Sequence, residues 1–194
     1  MPIPDYLTRH YITGEDPFLS LNDLPPEEAN RIRKDVNQKY GWGGFYGQDD
    51  YLLHRSEIEN WIHAAFIKKG GKPQDLIPVY FFLGDVVGAY KKFAGDTSIL
   101  KVPLSSIDHL SISFVWPDSM YVAERGPSGF TGACQRTNTP QVFTYDELEG
   151  IVMDVRAYND LPCRTAPPAC VEAQVWNRCA LRAWFASCHT CPSI

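Results

Sequence analysis

Short apolar or alternating segments along the chain predict its strands. Residues 77–83 are continuously apolar and lie between proline and glycine, which is typical of a strand buried on both faces. Residues 171–176 alternate valine with polar residues, which predicts a last strand. Residues 6–12 are rich in aromatic and β-branched residues and predict the first strand. Further strands are predicted at residues 99–102, 111–115, 120–123 and 141–143.

Helix signals separate these strands. Asp23, followed by two prolines and two glutamates, predicts a helix start with Asp23 as its capping residue, and helical spacing continues to about Tyr40. Thr144 with Glu147 three residues later is a capping box, which predicts a helix to about Tyr158. Other helices are predicted over residues 54–69 and 85–93.

The order of these elements indicates an α+β fold. A strand, two helices, a strand, a helix, several strands, a helix and a strand do not give the regular alternation of a doubly wound parallel sheet. We expect one main α+β domain over residues 1–160, whose last strand continues to about residue 176. Residues 177–194 are expected to form a cysteine-rich tail.

Composition narrows the class of protein. The 194 residues are 44% hydrophobic, which excludes a wholly disordered chain. The net charge of −5 does not indicate a broad basic surface for nucleic acid, although a local basic groove stays open. No apolar run reaches the roughly 18 residues of a membrane span, and the first residues lack the pattern of a secretory signal. We therefore expect a cytoplasmic protein without a membrane partner.

Five of the six cysteines follow residue 156. Cys188 and Cys191 have the C-x-x-C spacing with which two thiolates reach one zinc ion, and Cys163, Cys170 and Cys179 would complete a site. Because the second pair lacks this spacing, free thiols are favoured and no metal site is predicted. The chain also has no P-loop, nucleophile elbow, H-E-x-x-H or G-x-G-x-x-G motif.

Polar residues within or beside the apolar strands are the candidates for chemistry. They are Arg9 and His10 in the first strand, Arg55 at a helix start, Tyr80 in the central apolar strand and Glu172 in the last strand. A carboxylate inside a sheet costs several kcal/mol unless it is partnered or lines a cleft. Each position also has an ordinary explanation: Glu172 facing water, a hydrogen-bonded strand histidine, core packing of Tyr80 and a solvated Arg55.

Taken in order, four segments resemble the ADP-ribosyltransferase superfamily, and most of all the DarT-type toxins that modify thymidine bases in DNA. Residues 7–13 (LTRHYIT) resemble the family's opening strand, which holds the nicotinamide ribose. Residues 54–56 (HRS) resemble the family's basic helix start, which meets the cofactor phosphates. Residues 76–82 (LIPVYFF) resemble the strand that stacks on nicotinamide, and residues 169–175 (ACVEAQV) the strand of the catalytic glutamate.

The resemblance implies a fold, a substrate and a set of roles. The fold would be a split, mixed β-sheet with flanking helices, and the substrate would be NAD, with no metal. The acceptor would be a macromolecule, either a nucleic-acid base or a protein side chain, and an antitoxin or immunity partner would accompany a toxin. Catalysis is assigned to Glu172 and Tyr80, with cofactor contacts from His10, Arg9, Thr13, Arg55 and Phe81.

The assignment leaves two choices open. Tyr11 separates His10 from Ile12, so that either Arg9 or His10 fits the ribose contact. Tyr80 or Phe81 fits the stacking role.

Two other classes of function also remain. The acidic charge and the aromatic loop around residues 42–46 suit a non-enzymatic interaction module, such as an immunity or inhibitor protein. Glu57, Glu59 or Asp118 with a divalent metal would suit a nuclease.

Overall fold

The computed structural model describes residues 3–40, 48–85, 97–116, 119, 141–159 and 170–189. Over these residues the chain forms four α-helices and six strands. The helices are α1 (Pro26–Tyr40), α2 (Tyr51–Lys68), α3 (Leu148–Asn159) and α4 (Arg178–His189). The strands are β1 (Tyr6–Ile12), β2 (Val79–Leu83), β3 (Thr97–Pro103), β4 (Ile112–Val115), β5 (Val142–Phe143) and β6 (Glu172–Val175).

The strands form one sheet in the order β3-β1-β2-β6-β4-β5, and each described pair is antiparallel. The α+β class is confirmed. The expectation of a split sheet with mixed strand directions is wrong, because β6 lies between β2 and β4 and joins the two halves into one continuous sheet. Strands far apart in sequence thereby become direct neighbours.

The sheet has a different partner on each face. Val79, Phe81 and Leu83 alternate along β2 and are buried in the larger core, together with residues of β4 and β6 and with Leu148 and Leu181 of the helices. On the other face, α2 packs through three buried apolar residues that belong to a second, smaller cluster: Ile58, Ile62 and Phe66. This second face carries most of the polar residues singled out above.

The predicted strands and helices that lie in the described residues agree with the structure apart from their boundaries, whereas α4 was not predicted. Helix α2 begins at Tyr51, three residues earlier than expected, and α1 begins at Pro26. Asp23 is therefore not the capping residue of α1. It ends a short 3-10 turn, where its carboxylate accepts a hydrogen bond from the Ser20 backbone N–H at 2.7 Å. The capping box of Thr144 and Glu147 is confirmed. The predicted strand at residues 120–123 lies outside the described residues, as does the predicted helix at residues 85–93 apart from Asp85.

The expected cysteine-rich tail is mostly helical over the residues that the structure describes. Its residues 178–189 form α4, and Leu181 of this helix is 2% exposed within the larger core. Arg178 at the start of α4 pairs with Asp23 at 2.8 Å. In the described part of the chain, no helix has the length and apolar character that crossing a bilayer requires.

Candidate functional site

A row of side chains crosses four neighbouring strands beneath α2. Thr8 of β1 is the register partner of Phe82 of β2, Phe82 is the partner of Glu172 of β6, and Glu172 is the partner of Val115 of β4. Residues that are directly opposite in a sheet share a face. Glu172 therefore lies on the α2 side of the sheet, and Tyr80, two residues from Phe82, shares that side.

Arg55 of α2 lies against Tyr80. Its guanidinium carbon is 3.6 Å from the centre of the Tyr80 ring, and Nε donates to Glu59 Oε1 at 3.2 Å. The side chains of Arg55 and Glu59 are only 14% and 5% exposed. A guanidinium stacked on an aromatic ring is attracted to the ring quadrupole, and the attraction grows as water is excluded.

The charges at this site act on one another. Burial disfavours the charged form of Arg55, but Tyr80, Tyr51, Glu172 and Glu59 outweigh it and raise the pKa of the guanidinium. Burial raises the pKa of Tyr80 well above its ordinary value, and Arg55 opposes that shift. The guanidinium therefore stays charged and lies within electrostatic reach of both carboxylates.

Glu59 is held from two sides. Besides Arg55 on Oε1, Asn22 donates to its Oε2 at 2.6 Å. Burial raises the pKa of Glu59, whereas Arg55, Asn22 and Tyr80 hold it down. Asn22 belongs to the 3-10 turn before α1, so that this turn and α2 are tied together at the site.

Glu172 is buried, and the sequence-based explanation that it faces water is wrong. The residue is 5% exposed, and its Oε1 accepts a hydrogen bond from Gln174 Nε2 at 2.8 Å. All four residues of β6 are buried, and both edges of the strand are paired, with β2 on one side and β4 on the other. The cost of burying a carboxylate is offset here by a charge-assisted hydrogen bond and by the field of Arg55.

Arg9 and His10 lie on opposite faces of β1 because successive side chains of a strand alternate. Arg9 is turned to the backbone, donating to the carbonyl oxygen of Tyr80 at 2.7 Å and to that of Leu19 at 2.8 Å. His10 shares the face of Thr8 and hence that of Glu172. Burial lowers the pKa of His10, and Asp85 opposes that shift.

Two residues proposed as cofactor contacts lie elsewhere. Phe81 is 1% exposed in the larger core, on the face opposite Tyr80, so it does not share the face of Glu172. Thr13 follows β1 in an exposed turn, where its hydroxyl is 3.0 Å from that of Ser98.

One buried hydroxyl group on the site face, Thr8 Oγ1, has no hydrogen-bond partner among the described residues. The Tyr80 hydroxyl lies close enough to Glu59 to help hold down the pKa of that carboxyl. Buried polar atoms are nearly always hydrogen-bonded, so the exception at Thr8 needs an explanation. A polar ligand on this face would supply the missing partner.

Sequence reasoning did not place Glu59, Gln174 and Ser113 at this site. Glu59 was considered only as a metal ligand, although its position four residues after Arg55 puts both on one side of a helix. Gln174 lies two residues after Glu172 and so on the same face of β6. Ser113 is its register partner on β4, a relation that no sequence signal reveals.

Of the three carboxylates proposed for a nuclease, the two that are described lie in different surroundings. Glu57 is exposed and lies 3.3 Å from His54, whereas Glu59 is buried against Arg55. Asp118 lies outside the described residues. Within the described ranges, no group of three His, Cys, Asp or Glu side chains has a geometry for holding a metal ion.

Three of the six cysteines, Cys170, Cys179 and Cys188, lie within the described residues. Cys179 and Cys188 of α4 are exposed thiols and Cys170 is a half-buried one, while Cys163 and Cys191 lie outside the described residues. The aromatic loop at residues 42–46 also lies outside them.

In comparisons with known proteins, no family model, no curated protein and no solved structure matches this chain. The candidate function therefore has to be argued from the site itself.

Proposed function

We propose that this protein is an NAD-dependent ADP-ribosyltransferase whose catalytic carboxylate is Glu172, and that its sheet is a continuous variant of the ADP-ribosyltransferase-like fold. The proposal rests on the convergence of three candidate side chains from distant parts of the sequence. Three segments that resemble the family's NAD-binding strands become the neighbouring strands β1, β2 and β6, with His10, Tyr80 and Glu172 on one face. An accidental resemblance gives no reason for the three side chains to share a face.

The chemistry of the site suits the reaction. NAD supplies an ADP-ribosyl group whose bond to nicotinamide breaks with the electron pair leaving on the nicotinamide nitrogen, so that positive charge develops on the ribose. Glu172 supports that charge from a buried position, where electrostatic stabilisation is strongest. The acceptor then bonds to the ribose carbon and loses a proton, which Glu172 is placed to take.

The other residues hold the substrate. Tyr80 offers an aromatic ring, and Thr8 offers a buried hydroxyl without a hydrogen-bond partner among the described residues. His10 on the same face is the candidate for the ribose contact, in place of Arg9, which is held by two backbone carbonyls. Arg55 is largely buried and keeps Tyr80 and Glu59 in place, so its charge acts on the site from inside the protein.

The acceptor is proposed as a macromolecule, either a nucleic-acid base or a protein side chain. The two kinds of acceptor are distinguished by incubating the protein and radiolabelled NAD⁺ with single-stranded DNA in one arm and with a mixture of proteins in the other. Label on the DNA would support the DarT-type assignment, and label on protein would redirect it to the protein-modifying transferases.

Two measurements test the proposal. NAD⁺ at about 100 times its Kd should stabilise the folded protein by about 2.7 kcal/mol and raise its melting temperature. Nicotinamide release, followed by chromatography, should fall to a small residual rate in Glu172→Gln while the melting temperature with NAD⁺ still rises. Glu57→Gln is the matched control, since Glu57 is exposed on α2 and should release nicotinamide like the wild type.

Absence of both the melting shift and nicotinamide release would contradict the proposal and favour the non-enzymatic interaction module. Full activity of Glu172→Gln would remove Glu172 from the mechanism.

A further inference from the structure

A chain of hydrogen bonds inside the domain ends on Glu172. Trp176 Nε1 donates to Ser113 Oγ at 2.9 Å, Ser113 Oγ donates to Gln174 Oε1 at 2.9 Å, and Gln174 Nε2 donates to Glu172 Oε1 at 2.8 Å. Trp176, Ser113 and Gln174 are 0% exposed. Because bulk water does not reach these side chains, each depends on its neighbour for a hydrogen-bond partner.

Trp176 determines the direction in which the hydrogen bonds run. An indole N–H only donates, so the Ser113 oxygen accepts from it and turns its own proton to Gln174. The Gln174 oxygen must then face Ser113, which turns the amide nitrogen toward Glu172. An amide side chain has two nearly equal orientations, and the donor-only indole excludes the flipped one. Glu172 Oε1 is consequently held as an acceptor.

The far end of the chain is fixed by packing. The Trp176 ring lies edge-on to His63 at 5.3 Å and is stacked with Phe66 at 6.4 Å, measured between ring centres. Both partners belong to α2, the helix that carries Arg55. The link between Ser113 and Gln174 is fixed by the sheet, since the two residues are register partners on β4 and β6.

We infer that Trp176, Ser113 and Gln174 are positioning residues that set the orientation of the Glu172 carboxylate for group transfer. This inference rests on the proposed function, in which Glu172 faces the ribose. Anchoring Oε1 restricts rotation about the last bond of the side chain and fixes the direction of Oε2 with it. Catalytic groups that shift by about 1 Å lose up to about 100-fold in rate.

Ser113→Ala is the sharpest test because it removes one hydroxyl from the middle of the chain. The Gln174 amide then loses the donor that keeps it from flipping. We expect kcat for nicotinamide release to fall between about 10- and about 100-fold, while KM for NAD⁺ changes by less than about threefold. A loss of folded protein alone would not separate kcat from KM in this way.

The chain offers a matched control two residues away. Ser111 is also buried, at 1% exposed, and its hydroxyl donates to the Asp108 carbonyl oxygen at 2.9 Å, outside the chain that ends on Glu172. Ser111→Ala should retain the wild-type kcat. Trp176→Phe, which removes the N–H at the far end, gives a second variant and should lower kcat in the same direction.

Ser113 and Glu172 should also act as one unit. In the Glu172→Gln background, Ser113→Ala should lower the residual rate by less than about twofold, because the group being oriented is already gone. A wild-type kcat in Ser113→Ala, or an equal fall in Ser111→Ala, would overturn the positioning role while leaving the proposed function intact. A wild type that neither binds nor consumes NAD⁺ would instead overturn the proposed function, and this inference with it.

Discussion

The guanidinium of Arg55 lies over the Tyr80 ring, with its central carbon 3.6 Å from the ring centre, while its Nε donates a hydrogen bond to Glu59. This contact joins α2 to β2 directly above the site. It also makes Arg55 an interior residue that holds the site together, where the sequence had suggested a phosphate-binding helix start. The geometry depends on a planar cation, which lysine does not offer.

Replacement of this cation is the first prediction. Arg55→Lys keeps a positive charge but loses the stacking on Tyr80 and the Nε donor to Glu59, so the free energy of unfolding should fall by about 2 kcal/mol. Urea denaturation measures the change. Arg31→Lys is the control, because Arg31 is 64% exposed in a surface pair with Asp35 and should change stability little. Equal effects of the two substitutions would contradict the buried role of Arg55.

The second prediction concerns pH and His10. Burial lowers the pKa of His10 in the folded protein below 6.5, so between the two pKa values the unfolded chain binds more protons. The contribution of His10 to the free energy of unfolding is therefore complete above the pKa of His10 in the unfolded chain. It is lost as the pH falls through the lowered pKa of His10 in the folded protein. The stability of the wild type relative to His10→Gln should decline from about pH 7.5 to about pH 5.5 in urea denaturation.

His54 provides the opposite case for comparison. Asp50, through a side-chain hydrogen bond, is the largest cause that raises the pKa of His54, with Glu57 adding to it. Its contribution is present at low pH and is lost as the pH rises through the folded-state pKa. A His10→Gln difference that is independent of pH, or one with the trend expected for His54→Gln, would refute the assignment of His10 to a partly buried position.

The third prediction tests whether α4 belongs to the folded domain. Leu181 is 2% exposed in the larger core, so Leu181→Ala should lower the free energy of unfolding by about 3 kcal/mol. Leu53→Ala deletes the same atoms from a side chain on α2 that is 61% exposed, and it should cost well under about 1 kcal/mol. If the two variants unfold at the same urea concentration, residues 178–189 are an appendage and not part of the core.

Local signals were sufficient for most of the elements. The alternation in residues 171–176, the apolar run before Gly84 and the capping box at Thr144 correspond to β6, β2 and the turn that leads into α3. Such local signals give the wrong role for a side chain where a residue far away in the sequence binds it in the folded protein. Asp23 has the form of a helix cap, but it accepts from Ser20 and pairs with Arg178, which follows 155 residues later.

The candidate site, like the fold, was predictable from the sequence only in its local relations. Alternation along a strand already implies that Arg9 and His10 lie on opposite faces, as do Tyr80 and Phe81, and that Glu172 and Gln174 share one. None of these relations says which face holds the candidate site. The cluster on one face was decided by the insertion of β6 between β2 and β4 and by the packing of α2 on that side, which brought Glu172 within electrostatic reach of Arg55. Backbone periodicity is a local property and can therefore be read from the sequence. Strand pairing and helix docking depend instead on contacts between residues about 60 to 160 positions apart, and only folding brings such residues together.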